Sequence, residues 1–207
     1  MSSQAQWLDA ASKARVQAAI AEAERKTSAE FVVTLRLTSG RYWAASLLFG
    51  ALVAFAGLCV YVYHPAQFTD DLVPPALALM FALSSVLASR LGFLQRLLTP
   101  RRVREANVRR AAFEAFHEQG ISATRDRTGV LIFISLREQM VEVVTDVGVD
   151  VGALGNDGRR SLAGLKAAVR QGGVDAVTQG LARLGDALAT TLPRREDDIN
   201  ELPDEVT

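Results

Sequence analysis

Two stretches of the chain are apolar and contain no charged residue. The first runs from Trp43 to Tyr63, and after a short loop the stretch from Leu72 to Ser89 repeats the pattern. A helix rises about 1.5 Å per residue, so roughly 20 apolar residues cross a hydrocarbon core of about 30 Å. The first stretch is long enough, and the second becomes so if Arg90 extends to the headgroups. The pattern predicts a two-helix membrane hairpin, which we favour over a pair of helices buried in a soluble core.

Charged residues around the hairpin predict its orientation. The connecting loop from His64 to Asp71 contains no Lys or Arg, whereas both flanks are basic. The cations are Arg25, Lys26, Arg36 and Arg41 before the hairpin and Arg90, Arg96, Arg101, Arg102 and Arg104 after it. Because Lys and Arg are retained on the cytoplasmic side, we expect an inner (plasma) membrane protein of a bacterium with both termini in the cytoplasm. The residues from Leu91 to Leu98 predict a short interfacial helix.

Before the hairpin, the pattern changes from helical to strand spacing. Apolar residues recur every three or four positions from Ala5 to Lys26, which predicts a helix. From Phe31 to Leu37 they alternate with other residues, which predicts a half-buried strand. Only a few residues separate Thr38 from Trp43, so we expect the domain to lie on the bilayer.

After the hairpin, the pattern predicts a helix and then a β-hairpin. The helix runs from about Arg102 to Glu118 and ends at Gly120. Its expected buried residues are Ala106, Phe113 and Phe116. The apolar run Val130 to Ser135 predicts a central strand covered on both faces, and Met140 to Val149 predicts its hairpin partner.

Two helices are expected to complete the domain. One runs from Ser161 to Gln171, and Asp175 can accept amide hydrogens at the start of the next. The second helix carries an apolar stripe of Val177, Leu181, Leu184 and Leu188. The predicted organisation is therefore an α/β domain of residues 1–40 and 100–193, interrupted by the hairpin region 41–99 and followed by an acidic tail, 194–207.

Composition removes several classes of function. The 207 residues include 23 cationic and 23 anionic side chains, so the formal net charge of zero gives no field that would attract nucleic acid. The single cysteine, Cys59, forms no intrachain disulfide. With two histidines and one cysteine, the chain cannot assemble a zinc site, and neither a catalytic triad nor a phosphate-binding glycine loop is evident. No cofactor is predicted with certainty.

Carboxylates are the remaining candidates for chemistry. Asp146, Asp150 and Asp157, together with Asn156, follow the second strand of the β-hairpin. Hard oxygen ligands of this kind can hold Ca²⁺ or Mg²⁺ and support hydrolysis of a phosphate ester. The same residue types are common in turns and helix caps because they bond to the backbone, and we favour that interpretation.

Three short motifs of the soluble part are similar to those of a known family. Ser28 to Val33 matches the start of its first strand, Thr128-Gly129-Val130 matches an Asn-Gly-Val-Leu-like motif with Thr in place of Asn, and Asp146-Val147-Gly148 stands where a Gly-Tyr-Gly-like element is found. On these motifs the chain resembles the TPM domain family, also called the TPM phosphatase domain, over residues 5–38 and 103–192. The family includes thylakoid lumen and photosystem II repair proteins and many bacterial membrane proteins. The resemblance implies a TPM-like small sheet packed with helices, here interrupted by a two-helix transmembrane hairpin.

The pattern and the resemblance together favour a membrane-anchored binding or accessory module, acting in the assembly or quality control of membrane proteins. Its expected partners are the lipid bilayer and another membrane protein. The alternative is a weak metal-dependent phosphatase that uses Asp146, Asp150 and Asp157, since the resemblance implies metal binding and acid phosphatase activity for some members. A pore or transporter built from oligomerised hairpins is disfavoured because neither span contains a charged residue.

Overall fold

The computed structural model describes residues 7, 9–65, 70–150, 152, 155–171, 173–195 and 202; the side chains at positions 157, 170 and 171 lie outside the description. It divides the chain into two compact units. One is formed by Met1–Ser39 with Ala106–Thr207, which we call the α/β unit, and the other by Gly40–Glu105, the helical unit. The predicted start of the first helix at Ala5 and most of the acidic tail lie outside the described residues.

The elements follow the predicted order along the chain. They are α1 (Ala10–Glu24), β1 (Glu30–Arg36), α2 (Trp43–Tyr63), α3 (Val73–Arg90), α4 (Gly92–Leu98), α5 (Arg101–Glu118), β2 (Gly129–Ser135), β3 (Met140–Thr145), α6 (Gly155–Gln171) and α7 (Val174–Ala189). Short 3-10 turns precede α3, at Asp70–Leu72, and β2, at Ile121–Ala123. The fold is therefore mixed α/β, as expected, with a small sheet and many helices.

The sheet has three strands in the order β1-β2-β3. β1 pairs in parallel with β2, with Phe31 opposite Val130, and β2 pairs in antiparallel fashion with β3, with Ile132 opposite Val143. Every residue of β2 is buried, which confirms the prediction of a central strand. Five of its seven residues are Val, Leu, Ile or Phe, which suit a strand covered on both faces.

Helices cover both faces of the sheet. On one face, alternate strand residues such as Phe31 and Ile132 share a core with side chains of α1, α6 and α7. On the other face, Val32, Leu131 and Phe133 pack with side chains of α5. The prediction that β1 is half-buried was therefore wrong: its first five residues are buried because α5 covers the second face.

The buried face of α5 also differs from the expectation. Phe116 is buried as predicted, but Ala106 and Phe113 are exposed. The buried residues are Val108, Ala111, Ala112, Ala115 and Phe116, which recur at helical spacing. Because successive helix positions are about 100° apart, Phe113 is turned away from the stripe that contains Ala112. It lies instead beneath the Arg109 guanidinium, whose carbon is 5.7 Å from the ring centroid.

The ends of several elements shift from their predicted positions. α5 ends at Glu118, as predicted, and Gly120 just beyond it has the left-handed conformation (φ 65°) that glycine adopts without strain. α6 begins at Gly155 rather than Ser161, and β3 ends at Thr145 rather than Val149. The residue that caps α7 is Gly173, and Asp175 lies in the first turn, where it forms an ion pair with Arg15 instead of a cap.

The helical unit contains the two apolar stretches as helices. α2 has the predicted bounds, and α3 begins one residue later than predicted and extends to Arg90. The two helices approach closely at Gly50, where an added Cβ would overlap the Ser85 hydroxyl and lie 2.8 Å from the carbonyl oxygen of Phe81. α4 confirms that the segment after α3 is helical. The buried Gln95 of α4 donates to the Ser46 hydroxyl (3.2 Å) and the Ser89 carbonyl (3.3 Å), and so ties α4 to α2 and α3.

We expect Gly185→Ala to lower the free energy of unfolding of the α/β unit by about 1–3 kcal/mol. A Cβ at Gly185 of α7 would lie 2.8 Å from the Cβ of Ala23 in α1, so the two helices must separate. Gly164 in α6 is the matched control. Nothing lies within 4 Å of a Cβ added there, so Gly164→Ala should raise the free energy of unfolding by about 0.5–1 kcal/mol.

Both values can be measured by unfolding the full-length chain while recording the fluorescence of Trp7, which is buried in this core, in a Trp43→Phe background. Equal effects of the two substitutions would contradict the close packing of α1 on α7.

Candidate functional site

Asp146, the first of the predicted aspartates, lies at the end of the sheet where β2 begins and β3 ends. The carboxylate of Asp146 accepts two hydrogen bonds from the Arg127 guanidinium, from Nε to Oδ2 (2.8 Å) and from Nη2 to Oδ1 (2.9 Å). A third comes from the backbone N–H of Val147 to Oδ1 (2.8 Å). The Asp146 side chain is 4% exposed. Asp146 is thus a buried carboxylate held by a two-point ion pair.

Two turns bring these side chains together. Arg127 has φ 57°, an unusual conformation for a non-glycine residue, and its carbonyl accepts the N–H of Gly148 (2.9 Å). The N–H of Asp146 donates to the carbonyl of Gly129 (2.9 Å). A side chain at Gly148 would lie 2.5 and 2.6 Å from the carbonyl oxygens of Asp126 and Arg127, so only glycine allows the two turns to approach this closely.

Asp146 has a pKa below its usual value. Burial alone would raise the pKa of the carboxyl, but the hydrogen bonds from Arg127 and Val147, together with the Arg127 charge, reverse that effect. The same ion pair raises the pKa of Arg127. Asp146 is therefore ionised at neutral pH, and its charge is already matched by a cation of the chain.

The other predicted metal ligands are arranged differently. The exposed Asp150 accepts the N–H of Gly152 at Oδ1 (2.8 Å), which is a turn contact of the kind given above as the alternative. Asp157 and Asn156 lie in the first turn of α6, with the Asp157 side chain outside the description. Among the described residues, no three His, Cys, Asp or Glu side chains are grouped closely enough to hold a metal ion. A site for Ca²⁺ or Mg²⁺ at Asp146, Asp150 and Asp157 stays a prediction.

A second polar cluster, which was not predicted, lies at the opposite end of the strands, beside the turn between β2 and β3. Glu138, in the turn between β2 and β3, is only 2% exposed. Its Oε1 accepts from the Thr38 hydroxyl (3.1 Å) and the N–H of Ser39 (3.0 Å), and its Oε2 accepts from the Ser135 hydroxyl. The Ser39 hydroxyl donates to that of Ser135 (2.7 Å). We call these four residues the Glu138 cluster.

The Glu138 cluster fixes the end of β1. Leu136 and Arg137 donate their N–H groups to the carbonyls of Arg36 and Leu37 (3.0 Å each), so the turn continues the pairing beyond the strands. The Glu138 carboxylate then holds Thr38 and Ser39, the last residues before the helical unit begins. Because both carboxylate oxygens of Glu138 accept hydrogen bonds from other residues of the chain, the cluster suits a structural role.

The helical unit presents a different kind of surface. In the most apolar 18-residue windows of α2 and α3, only 17% and 6% of the residues are buried. All but three of the exposed large hydrophobic side chains in the described part of the chain belong to this unit, the exceptions being Leu37, Phe113 and Val147. A cleft of about 300 Å³ lies between α2 and α3 and is almost wholly apolar. Its lining residues are Gly57, Val60, Tyr61, Val73, Ala76, Leu77 and Met80.

Comparison with known proteins informs the fold alone. The chain is similar to the NMR structure of the BA42 protein from the psychrophilic bacterium Bizionia argentinensis, with a TM-score of 0.57 and 18% sequence identity over 96% of this chain and 93% of that one. No protein-family model matches the chain, and no curated protein matches it significantly. The likeness to BA42 supports a shared mixed α/β fold.

We expect Asp146→Asn to lower the free energy of unfolding by about 1–3 kcal/mol at neutral pH. The substitution removes the buried negative charge that pairs with the Arg127 guanidinium. Since the folded-state pKa of Asp146 lies below the unfolded value of about 3.9, its stabilising contribution is complete above that pH and is lost as the pH falls through the folded-state pKa. The difference between wild type and variant should therefore shrink in acid.

Asp150→Asn is the matched control for this change. Asparagine keeps the oxygen that accepts the Gly152 N–H, so its free energy of unfolding should stay within about 0.5 kcal/mol of wild type. Trp7 fluorescence during unfolding at several pH values measures both variants. A difference between wild type and Asp146→Asn that is the same at every pH would contradict the ion pair.

We expect Glu138→Gln to destabilise the α/β unit by about 1–2 kcal/mol, since the amide presents an NH₂ group toward one of the donors that the carboxylate now accepts. Glu142→Gln is the control: Glu142 faces Lys166 at 3.8 Å on a partly exposed surface, and its loss should cost less than about 0.5 kcal/mol. The same fluorescence measurement compares them, and equal effects would show that the Glu138 cluster does not stabilise the end of β1.

Proposed function

We propose that this chain is a TPM-type α/β domain anchored in a bacterial inner membrane by α2 and α3, with its soluble unit acting as a binding or accessory module at the cytoplasmic face. The observation that supports it best is the outer surface of the helical unit. Helices of a soluble core bury most of their residues, whereas α2 and α3 bury few and present apolar side chains outward.

The energetic argument favours lipid around these helices. Leu52, Phe55 and Leu83 are each more than half exposed, so removing the rest of each side chain from water stabilises by roughly half of the 1.5–3 kcal/mol that full burial gives. Soluble monomers rarely expose so many large apolar side chains on neighbouring helices, and a large exposed apolar surface normally marks a site covered by another molecule. Both helices contain about the 20 residues that a hydrocarbon core requires.

Charges at the two ends of the helical unit support the orientation. At one end Asp70 and Asp71 precede α3, and the Tyr61 hydroxyl donates to Oδ1 of Asp70 (2.7 Å). The arginines of the unit are Arg90, the last residue of α3, and those in the segments before α2 and after α3. A loop without Lys or Arg between two basic flanks is the distribution that favours a cytoplasmic location for both flanks.

A binding role for the soluble unit is favoured because the buried carboxylates of Asp146 and Glu138 are engaged within the fold. Asp146 is paired with Arg127, and Glu138 accepts from the residues at the end of β1. The motif resemblance to the TPM family and the mixed α/β fold shared with BA42 are consistent with a module of this type. The metal-dependent phosphatase remains the competing hypothesis.

The location can be tested by extraction and by labelling. We expect the full-length chain to stay in the membrane fraction after an alkaline wash and to require detergent for solubility. In a Cys59→Ala background, His64→Cys should react with a membrane-impermeant maleimide on intact spheroplasts, and Arg110→Cys should react only after permeabilisation. Recovery of the chain in the aqueous fraction, or labelling of both positions from the same side, would overturn the proposal.

The competing activity has a separate test. The detergent-solubilised chain is incubated with a generic phosphate ester with and without Mg²⁺ or Ca²⁺. Under the accessory-module proposal, no hydrolysis above background is expected. Metal-dependent hydrolysis that is lost in Asp150→Asn would establish the phosphatase instead, since we expect that change to leave the fold intact.

A further inference from the structure

The start of α5 has a charge distribution opposite to that of most helices. Its first turn contains Arg101, Arg102 and Arg104 and no acidic residue. The N-terminus of a helix carries a partial positive charge, so anions stabilise it and cations do not. Glu105 is the first acid, and its Oε1 pairs with Nε of Arg101 (2.7 Å). Glu105 therefore neutralises only part of the positive charge of the three arginines and the helix N-terminus.

Two buried polar atoms lie in the same segment without a hydrogen-bond partner among the described residues. They are Oγ1 of Thr99, whose residue is 8% exposed, and Nε of Arg104. The carbonyl of Pro100 accepts the N–H groups of Val103 (3.1 Å) and Arg104 (3.3 Å), so the helix begins here and the two preceding amides have no acceptor within it. Buried donors without acceptors are unfavourable, and an anion with several oxygens would satisfy them.

The neighbouring helix α4 supplies an apolar surface beside these donors. Gln95 fixes one side of α4 against α2 and α3, while Phe93 and Leu97 are exposed. The seven residues of α4 span about 10 Å, so α4 separates the end of α3 from the start of α5 by only a short distance. If α3 ends at the membrane surface, as the proposed function requires, α4 lies in the interface and the arginines of α5 reach the depth of the lipid headgroups.

We infer that the turn from Thr99 to Arg104 binds the phosphate of an anionic phospholipid. The inference rests on the proposed function, because it needs α2 and α3 in a bilayer. A lipid fits better than a soluble phosphate, since Phe93 and Leu97 would contact acyl chains that a free phosphate lacks. Anionic lipid also matches the excess charge of the turn, and each arginine near such a surface strengthens binding about fivefold.

The test measures which lipid the full-length, detergent-solubilised chain retains. Phosphatidylglycerol and phosphatidylcholine with the same acyl chains are added in equal amounts, and bound lipid is counted by native mass spectrometry. We expect phosphatidylglycerol to be preferred, and the triple variant Arg101→Gln/Arg102→Gln/Arg104→Gln to weaken its retention by at least about tenfold. The control Arg159→Gln/Arg160→Gln/Arg183→Gln removes the same charge from exposed positions of the α/β unit and should leave the preference unchanged.

Three outcomes overturn the inference. No preference in wild type, or a preference that survives in the triple variant, excludes this turn as the binding site. Displacement by glycerol 3-phosphate as effective as that by phosphatidylglycerol identifies a soluble phosphate as the ligand. If circular dichroism shows that the triple variant is unfolded, the wild-type chain is tested at increasing sodium chloride concentration. The inference then requires that the preference for phosphatidylglycerol weaken as the salt concentration rises. A chain that is membrane-bound but shows no preference contradicts this inference only, whereas a water-soluble chain contradicts the proposed function.

Discussion

The parallel pairing of β1 with β2 is the constraint on which the rest of the fold depends. Two parallel neighbours cannot be joined by a tight turn, so the chain must cross from the end of one strand to the start of the other. Here the crossover contains the whole helical unit as well as α5, which covers one face of the sheet. The position of the apolar helices in the sequence is therefore compatible with an intact sheet, because they occupy a connection that the sheet requires in any case.

Polar contacts fix the sheet at both ends. At one end the Arg127–Asp146 ion pair joins the turn before β2 to the turn after β3, and at the other the Glu138 cluster joins the β2–β3 turn to the end of β1. Both carboxylates are buried, so each stabilises the fold only while its donors are in place. Acidic residues in turns can therefore stabilise a fold without taking part in chemistry.

The sequence predicted those elements whose signal is local. The absence of charge from Trp43 to Tyr63 gave the bounds of α2, and the unbroken apolar run after Gly129 identified the central strand. The buried face of α5 was predicted incorrectly because an alanine stripe has little hydrophobic contrast, and the larger Phe113 dominated the pattern. Glu138 could not be found, since its partners Thr38 and Ser39 are about a hundred positions away and a glutamate in a turn normally faces solvent. The Arg127 partner of Asp146 was missed for a related reason, as it depends on pairing between strands.

Folding of the α/β unit requires that the ends of Gly40–Glu105 come together, and the helical unit makes this easier. Closing a flexible loop has an entropic cost that increases with the logarithm of its length. Contacts in the helical unit pair Gly50 with Ser85 and Gly57 with Met80, so α2 and α3 run in opposite directions and return the chain toward its starting point. Packed helices have axes about 8–10 Å apart, so once α2 and α3 have formed, the connection behaves as a much shorter loop. Early formation of this helix pair would therefore favour, rather than hinder, the pairing of β1 with β2.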